Sequence, residues 1–393
     1  MLRLLPVENW QYGISDALNA LFNILFEQID TNIINIDSIG QCVPVRSARA
    51  GIYTILKSLN LSKGSRVGVP LYCCPVVFKA VEAAGCKHCF IDIDYTTCCI
   101  SADDFLRKRN DLDAIIAVHM FGNTCDMHAL EDVAEGKPII EDCAQSLGSM
   151  FKGKMTGTYG IAAAFSFRSG KYLSVGEGGA LFSNEPIIMQ KLEKTNAGFS
   201  RPKLPEEIKH LAETYIRTKL RTRPLYGLIG YPLWKFYNKK VDYSAKSPIA
   251  FTQSYISDSL TAAKRLNNLD LFIKTQRHYA DIFTHELGLP SNMYCPEIPE
   301  AFYNRYLYPI FLDSVGQRDK MIQYLHNLQI GTAKPYHDIA KVAATYYGYK
   351  SDCPVAEQIA DRVLVMPNHY NLEEHEIYHI AHCIKDGLKK INN

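Results

Sequence analysis

The stretch "FSFRSGKYLSVGEGG", residues 165–179, carries the end of an apolar run into a glycine-rich turn and sets one lysine, Lys171, between them. The run that leads into it, "GIAAAFSF" at 160–167, reads as a buried strand. Lysines ordinarily lie on solvated faces, so one at the rim of a buried strand needs a task. Working outward, the same alternation recurs. "SRVGVPLY" (65–72, interrupted by Pro70), "KHCFIDID" (87–94), "DAIIAVHMFG" (113–122) and "KPIIED" (137–142) read as strands. "SARAGIYTILKSLNL" (47–61), "PVVFKAVEAAG" (75–85), "ADDFLRKR" (102–109) and "MHALEDVAEG" (127–136) have helical spacing. Continuous apolar strands alternating with helices predict an α/β fold, a mainly parallel sheet sandwiched by helices. Ligands of such sheets bind at the carboxyl ends of the strands. Those ends are polar here: His119, then Glu141, Asp142 and Gln145, then Lys171.

The bulk numbers exclude several classes. The chain has 393 residues, 47% hydrophobic and 21% charged, with a formal charge of +2, which gives no footprint for nucleic acid. "MLRLLPVENWQYG" at the N-terminus has no long apolar region and no small-residue cleavage site, and no run of 18 apolar residues occurs. The expected location is the cytoplasm, with the twelve cysteines reduced. "CKHC" (86–89) has the gap of a zinc half-site but no second half, and "HEIYH" (375–379) lies on a charged C-terminal helix, so no metal is expected.

The large domain is expected over 15–260 and a smaller C-terminal α+β domain over 261–393, where helical "LTAAKRLNNLDLFIKTQRHYADIFTHEL" and strand-like "RYLYPIFLD" occur. Between about 200 and 250 the pattern lapses. Residues 215–241 hold seven basic residues, no acidic one, two prolines (Pro224, Pro232) and Trp234. The plain expectation is a loop that packs its aromatics and solvates its charges. Weak peripheral contact with an anionic membrane and capture of a substrate diphosphate are the two functional alternatives.

A lysine at a strand-to-turn rim can carry a cofactor as a Schiff base. Pyridoxal 5'-phosphate (PLP) requires that lysine, an acid at the ring nitrogen, a phosphate cradle and something flat against the ring. Asp142, at the end of "KPIIED", is the candidate acid; standing alone, it would read as a helix cap. Ser47, Ala48 and Arg49 open a helix, where backbone N–H groups suit a phosphate, and Ser166 could add a hydroxyl.

With these pieces in order, the chain resembles the sugar aminotransferases of the DegT/DnrJ/EryC1/StrS family, PLP enzymes of fold type I. The matching stretches include "SARAGIY", "GVPLYCCPVV", "FIDID", "AVHMFGNTCDM", "IIEDCAQSLG", "GTYGIAAAFSFRSGKYLSVGEGGALF", "NAGFSR" and "DCPVAEQIADRVLVMPNHYNLEEHEI". They cover nearly the whole chain and are weakest at 200–250. The resemblance implies that Lys171 carries the cofactor, Asp142 meets the pyridinium nitrogen, Gln145 reaches the ring hydroxyl, and Ser166 with Ser47, Ala48 and Arg49 holds the phosphate. Many relatives have Gly-Thr where this chain has Ala48-Arg49. Where they stack an aromatic ring on the cofactor, this chain offers Cys74, with Tyr72 two residues away. Where they reach the partner subunit's phosphate with an asparagine, "FTQSYISD" offers Gln253. A homodimer with shared active sites is implied. So is a reaction in which an amino acid, expected to be glutamate, donates nitrogen to the ketone of a nucleotide-linked sugar for polysaccharide or cell-wall assembly. Arg305, Lys334, Tyr336 and His337 are candidate substrate contacts in the second domain. The alternatives are a PLP-dependent sugar dehydratase, in which the lysine is replaced by histidine, and a PLP-binding regulator without turnover.

Overall fold

The computed structural model describes residues 4–26, 34–238 and 248–392. The alternating segments form the expected elements. The strands are β1 (Ile34–Ile36), β2 (Gly40–Val45), β3 (Arg66–Pro70), β4 (Lys87–Ile91), β5 (Ala114–Val118), β6 (Ile139–Asp142), β7 (Met150–Phe151), β8 (Lys154–Met155), β9 (Ala162–Ser166) and β10 (Gly179–Phe182), then β11 (Ala301–Phe302), β12 (Tyr308–Phe311) and β13 (Val363–Met366). The helices are α1 (Ile14–Phe26), α2 (Ala48–Ser58), α3 (Val76–Ala83), α4 (Ala102–Lys108), α5 (Met127–Ala134), α6 (Pro186–Ala197), α7 (Leu204–Arg221) and α8 (Tyr231–Asn238). They continue with α9 (Ile256–Leu266), α10 (Leu269–Leu287), α11 (Val315–Asn327), α12 (Ile339–Tyr346), α13 (Pro354–Arg362) and α14 (Glu374–Asn392).

Eight strands make one sheet in the order β1-β2-β10-β9-β6-β5-β3-β4. From β4 to β9 neighbours are parallel, and β5 and β6 are buried along their whole length, as a strand covered on both faces must be. Pro70 ends β3, where its missing N–H costs no ladder bond. The register sets Val118 beside Asp142 and Asp142 beside Ala164, so the ends of β5, β6 and β9 share one edge. The chain then turns back through the glycines after Lys171, and β10 runs antiparallel between β9 and β2. A second, two-stranded sheet, β12 with β13, packs with α10, α11 and α14 around Phe283, Met321, Leu364 and Ile380.

The region of weakest pattern is helical, which corrects the loop expectation. Pro224 follows the end of α7, and Pro232 lies one residue into α8, directly after the π-helical turn Tyr226–Gly230 that runs into that helix and locally widens it. Glu207 on α7 accepts from the Ile256 N–H, tying the helix to the start of α9. Part of the basic charge is used internally: Arg217 pairs with Glu213, Arg221 lies 5.2 Å over the Trp10 ring, and Arg223 pairs with Glu376. Leu225, Leu228, Ile229, Leu233 and Phe236 are exposed, while the Trp234 side chain and residues 239–247 fall outside the described residues. Among the described residues, no helix is long and apolar enough to cross a membrane.

The cysteines are free thiols. In "CKHC", Cys86 is buried and Cys89 accepts from Arg66 Nε at 3.2 Å. In "HEIYH", His375 sits beside Glu373, just before α14, and His379 against Cys383 one turn along it.

Candidate active site

Lys171 is held by the turn that surrounds it. Its N–H donates to Arg168 O (2.8 Å), Ser169 N–H to Gly176 O (2.8 Å), and Gly170 N–H to Ser174 Oγ (3.2 Å). The Nζ lies 5.0 Å from the centre of the Tyr306 ring, and the Tyr306 hydroxyl donates to Gly170 O at 2.7 Å. Burial, and next the nearby Arg168 guanidinium, push the Lys171 amine down to about 8. At pH 7.5 such an amine is neutral in roughly a quarter of molecules, against about 0.1% for an ordinary lysine. Capture of pyridoxal phosphate by the apo-protein, followed by absorbance, is therefore expected to rise with pH around 8 and level off above it. A rise that continues to pH 10 would mean the captured amine is an ordinary one.

Asp142 ends β6. Its carboxyl is buried and accepts from the Ala144 N–H at 3.0 Å, with no ion pair within 4 Å among the described residues. Burial raises its pKa, and that bond, Lys171 and His119 oppose the rise. The neighbouring Glu141 points the other way, as successive strand residues must. It accepts from the N–H groups of Gly157 (2.7 Å), Tyr159 (2.8 Å) and Gly160 (2.7 Å) and from His119. Because His119 Nδ1 accepts from the Cys125 N–H (3.1 Å), its proton is on Nε2, which donates to Glu141 at 3.0 Å. His119, Glu141 and Cys143 stand close enough to suggest a metal, but the Glu141 oxygens already receive four donors. His119 and Glu141 thus brace the strand ends, and Asp142 is the acid that shares the electrostatic environment of Lys171.

The start of α2 offers donors that suit an anion. Ser47 caps α2, its Oγ accepting from Ala50 N–H at 3.3 Å, and Ala48 and Arg49 lie in the first turn, whose N–H groups lack acceptors within the helix. Ser166 faces Gly179 in the sheet, and Ser47 bridges to Gly178. A Cβ on Gly179 would lie 2.2 Å from Phe165 O and 3.1 Å from the Ala48 N, so only glycine lets β10 pass this close. The turn is pinned from outside: Glu177 pairs with Arg46, its N–H donates to Asp258 (3.1 Å), and Asp258 also takes His210 Nε2 (2.9 Å). Tyr255 is stacked on His210 and lies under Arg46. Through this cluster α7 and α9 fix the loop that carries Lys171.

The remaining sequence candidates divide. Gln145 is buried, its Oε1 accepting from Phe121 N–H (3.1 Å) and its amide nitrogen facing Met120 Sδ. Tyr72 is wholly buried, donates to Pro335 O (2.9 Å) and meets Tyr336 edge-on at 5.6 Å. Cys74 is half-buried and contributes to the field at Lys171. Tyr336 shares the environment of Cys74 and Tyr306. Arg305 does not: its guanidinium donates to Cys295 O (2.8 Å) and lies near Glu297. Lys334 pairs with Asp319 at 3.3 Å, and His337 is exposed beside Asp338. Gln253 donates to Phe199 O (3.1 Å) within its own chain.

Sequence reasoning passed over three neighbours of Lys171. Glu8 arrives on the N-terminal segment, which lines a cleft with Gly170, Lys171 and Tyr306. Arg168 lies inside the opening motif itself. Tyr306 is placed by Asn304, whose Oδ1 accepts from Tyr306 N–H (2.8 Å) while its Nδ2 donates to Gln145 O and Leu147 O. Gly122 has φ +90°, and a Cβ there would lie 2.0 Å from Asn304 Oδ1. An amine held near neutrality, a buried acid and a helix-end anion cradle along one edge are the groups PLP requires, so the residues present fit it.

Comparisons with known proteins agree. GDP-perosamine synthase of Vibrio cholerae is 26% identical over 372 residues, spanning 92% of this chain and 90% of that protein. A UDP-N-acetyl-3-dehydro-alpha-D-glucosamine 3-aminotransferase of Acidithiobacillus ferrooxidans is 25% identical over 388 residues, 96% and 93% of the two chains. The aminotransferase of Psychrobacter cryohalolentis shares the fold at a TM-score of 0.77 with 18% identity, over 99% of this chain and 100% of its own. The model of the DegT/DnrJ/EryC1/StrS aminotransferase family matches residues 28–230 and 255–385, most of the chain, and the protein belongs to that family.

Proposed function

We propose that the protein is a PLP-dependent aminotransferase that moves an amino group, with glutamate as the expected donor, to the keto group of a nucleotide-linked sugar. The observation that carries this reading is Lys171, an amine held near pH 8 beside Asp142. The sugar-nucleotide class rests on the relatives named above, whose names specify GDP- and UDP-linked amino sugars.

When bound, the cofactor supplies an electron sink for the carbon that exchanges nitrogen. The chain's own residues do the rest. The first turn of α2 and Ser166 would hold its phosphate, Asp142 would keep a proton on the ring nitrogen, and Gln145 would lie at the ring's edge. Lys171 would anchor the cofactor at rest and, once released, carry a proton between the substrate carbon and the cofactor. The Tyr306 ring, 5.0 Å from the amine, would cover one side of it. A dehydratase of this family has histidine at the lysine position, and Lys171 speaks against that alternative.

The test is absorbance. Holo-protein should show cofactor colour that bleaches with L-glutamate and returns with a keto sugar linked to GDP, UDP or dTDP. Colour that no amino acid bleaches would support a regulator that binds PLP without turnover.

We also infer a homodimer located in the cytoplasm, working in polysaccharide or cell-wall assembly. Gln253, half-buried next to the exposed Phe251, is the candidate for reaching the neighbouring subunit. Light scattering is expected to give twice the chain mass of 44.4 kDa. A mass of one chain at assay concentrations would remove the shared-site part of the proposal.

A further inference from the structure

A transaminase must accept two unlike substrates in one place. The amino-acid donor carries a carboxylate on the very carbon that loses nitrogen. The sugar ketone carries none there, and its diphosphate lies a sugar ring away. A cation next to the reacting carbon therefore helps the first and burdens the second, unless something neutralises it between visits.

Arg168 and Glu8 have this arrangement. Arg168 opens the turn that ends on Lys171, bridged to Gly176 and accepting the Lys171 N–H on its carbonyl. Its side chain is exposed and has no ion pair within 4 Å among the described residues. Its electrostatic neighbours are Glu8, Tyr306, Cys74 and Tyr336, of which Glu8 and Cys74 also act on Lys171 and the Tyr306 ring lies 5.0 Å from the Lys171 Nζ. Glu8 is set over the same turn: its Oε2 would lie 2.8 Å from a Cβ on Gly170. It accepts from Trp10 Nε1 at 3.0 Å, and Trp10 lies under Arg221. The segment bearing Glu8 is tied on both sides, by Leu5 N–H to Gln329 O and Gly331 N–H to Leu5 O (each 2.9 Å), and by Gln11 N–H to Ser174 Oγ (3.3 Å). Five guanidinium N–H donors beside the lysine are a planar match for a carboxylate. The phosphate of the cofactor would have its own donors in the first turn of α2.

We propose that Arg168 is the subsite for the carboxylate on the reacting carbon of the amino-acid donor, and that Glu8 is its counter-ion when the sugar ketone takes the donor's place. This rests on the aminotransferase reading. Glu8 competes with the donor, so removing its charge tightens donor binding and hinders the sugar.

Calorimetric titration of the holo-protein with 2-oxoglutarate tests this without turnover, next to the L-glutamate or L-glutamine concentration that half-bleaches the cofactor. R168Q is expected to weaken 2-oxoglutarate and the donor tenfold or more, R168K less, with cofactor colour retained and its capture moved to higher pH, since Arg168 also depresses Lys171. E8Q is expected to tighten 2-oxoglutarate a few-fold. Unchanged 2-oxoglutarate affinity in R168Q overturns the proposal. So does a loss on GDP, UDP or dTDP instead, which gives Arg168 to the diphosphate, and so does a parallel loss of cofactor, which gives it to the phosphate. A wild type bleached by no amino acid fails the aminotransferase reading itself, an outcome distinct from bleaching that R168Q leaves unmoved.

Discussion

Lys171→Ala is expected to abolish turnover, by on the order of 10⁴-fold or more, since it removes both the covalent anchor and the proton carrier. The fold should survive. The turn around the residue is held by backbone bonds and Ser174, none of which needs the side chain. The sign of the stability change follows from the amine's depressed pKa. A lysine near 10.5 when unfolded and about 8 when folded is a cost to the apo fold while both states are protonated, below about pH 8. That cost is relieved as pH rises from 8 towards 10.5. The apo variant should therefore melt at or above the wild type at pH 7, with an advantage that shrinks at alkaline pH. Cofactor affinity should fall, because the phosphate and ring contacts remain but the covalent link does not. Borohydride treatment of the wild-type holo-protein should fix the cofactor to the peptide containing Lys171. Label on another lysine would relocate the site.

The strand ends were legible because the chemistry-bearing residues follow long apolar runs. "AIIAV", Ile139-Ile140 and "AAAF" are buried in the sheet as their composition requires, and the register of β5, β6 and β9 brings their ends to one edge. What followed the ends was read less well. Glu141 yields to Asp142 already in the sequence, because adjacent side chains diverge at a strand end, whereas His119 reads as a rim group until its bond to Glu141, itself held by the N–H groups of 157, 159 and 160, is seen. β10 gives little strand signal in the sequence, since "GALF" is four residues long and its pairing depends on Gly179 clearing Phe165 O. The helices of 204–238 are hidden by two prolines that read as breakers: Pro224 falls between α7 and the next helical stretch, and Pro232 is accommodated just after the π-helical turn Tyr226–Gly230. Glu8 and Tyr306 carry no local signal. They lie 163 residues before and 135 residues after Lys171, and only the tied N-terminal segment and the Asn304 network place them. Tyr72 and Cys74 could not be ranked from spacing. The buried Tyr72 hydroxyl on Pro335 O and the half-open Cys74 near Lys171 are differences of tertiary packing.

Asp142→Asn is expected to leave a coloured protein that turns over slower by on the order of 10²–10³-fold or more. The substitution keeps the shape, and an asparagine Oδ1 can still accept from the Ala144 N–H. It removes the negative charge that would hold a proton on the ring nitrogen, and without that proton the reacting carbon loses its electron sink. The apo-protein separates this loss from misfolding. The Asp142 carboxyl has its pKa raised by burial, so the ionised form is a cost to the fold above that raised value and the cost disappears as pH falls through it. Asparagine pays no such cost, and apo Asp142→Asn should melt no lower than the wild type at pH 7. Asp142 also raises the pKa of Lys171, by favouring its charged form. Its loss should shift the pH dependence of cofactor capture downward, making capture at neutral pH faster while turnover collapses. Faster capture together with lost turnover is the signature of an acid that acts on the ring nitrogen. Slow capture with lost turnover would indicate a damaged site, and near-wild-type turnover would assign the ring partner to another residue.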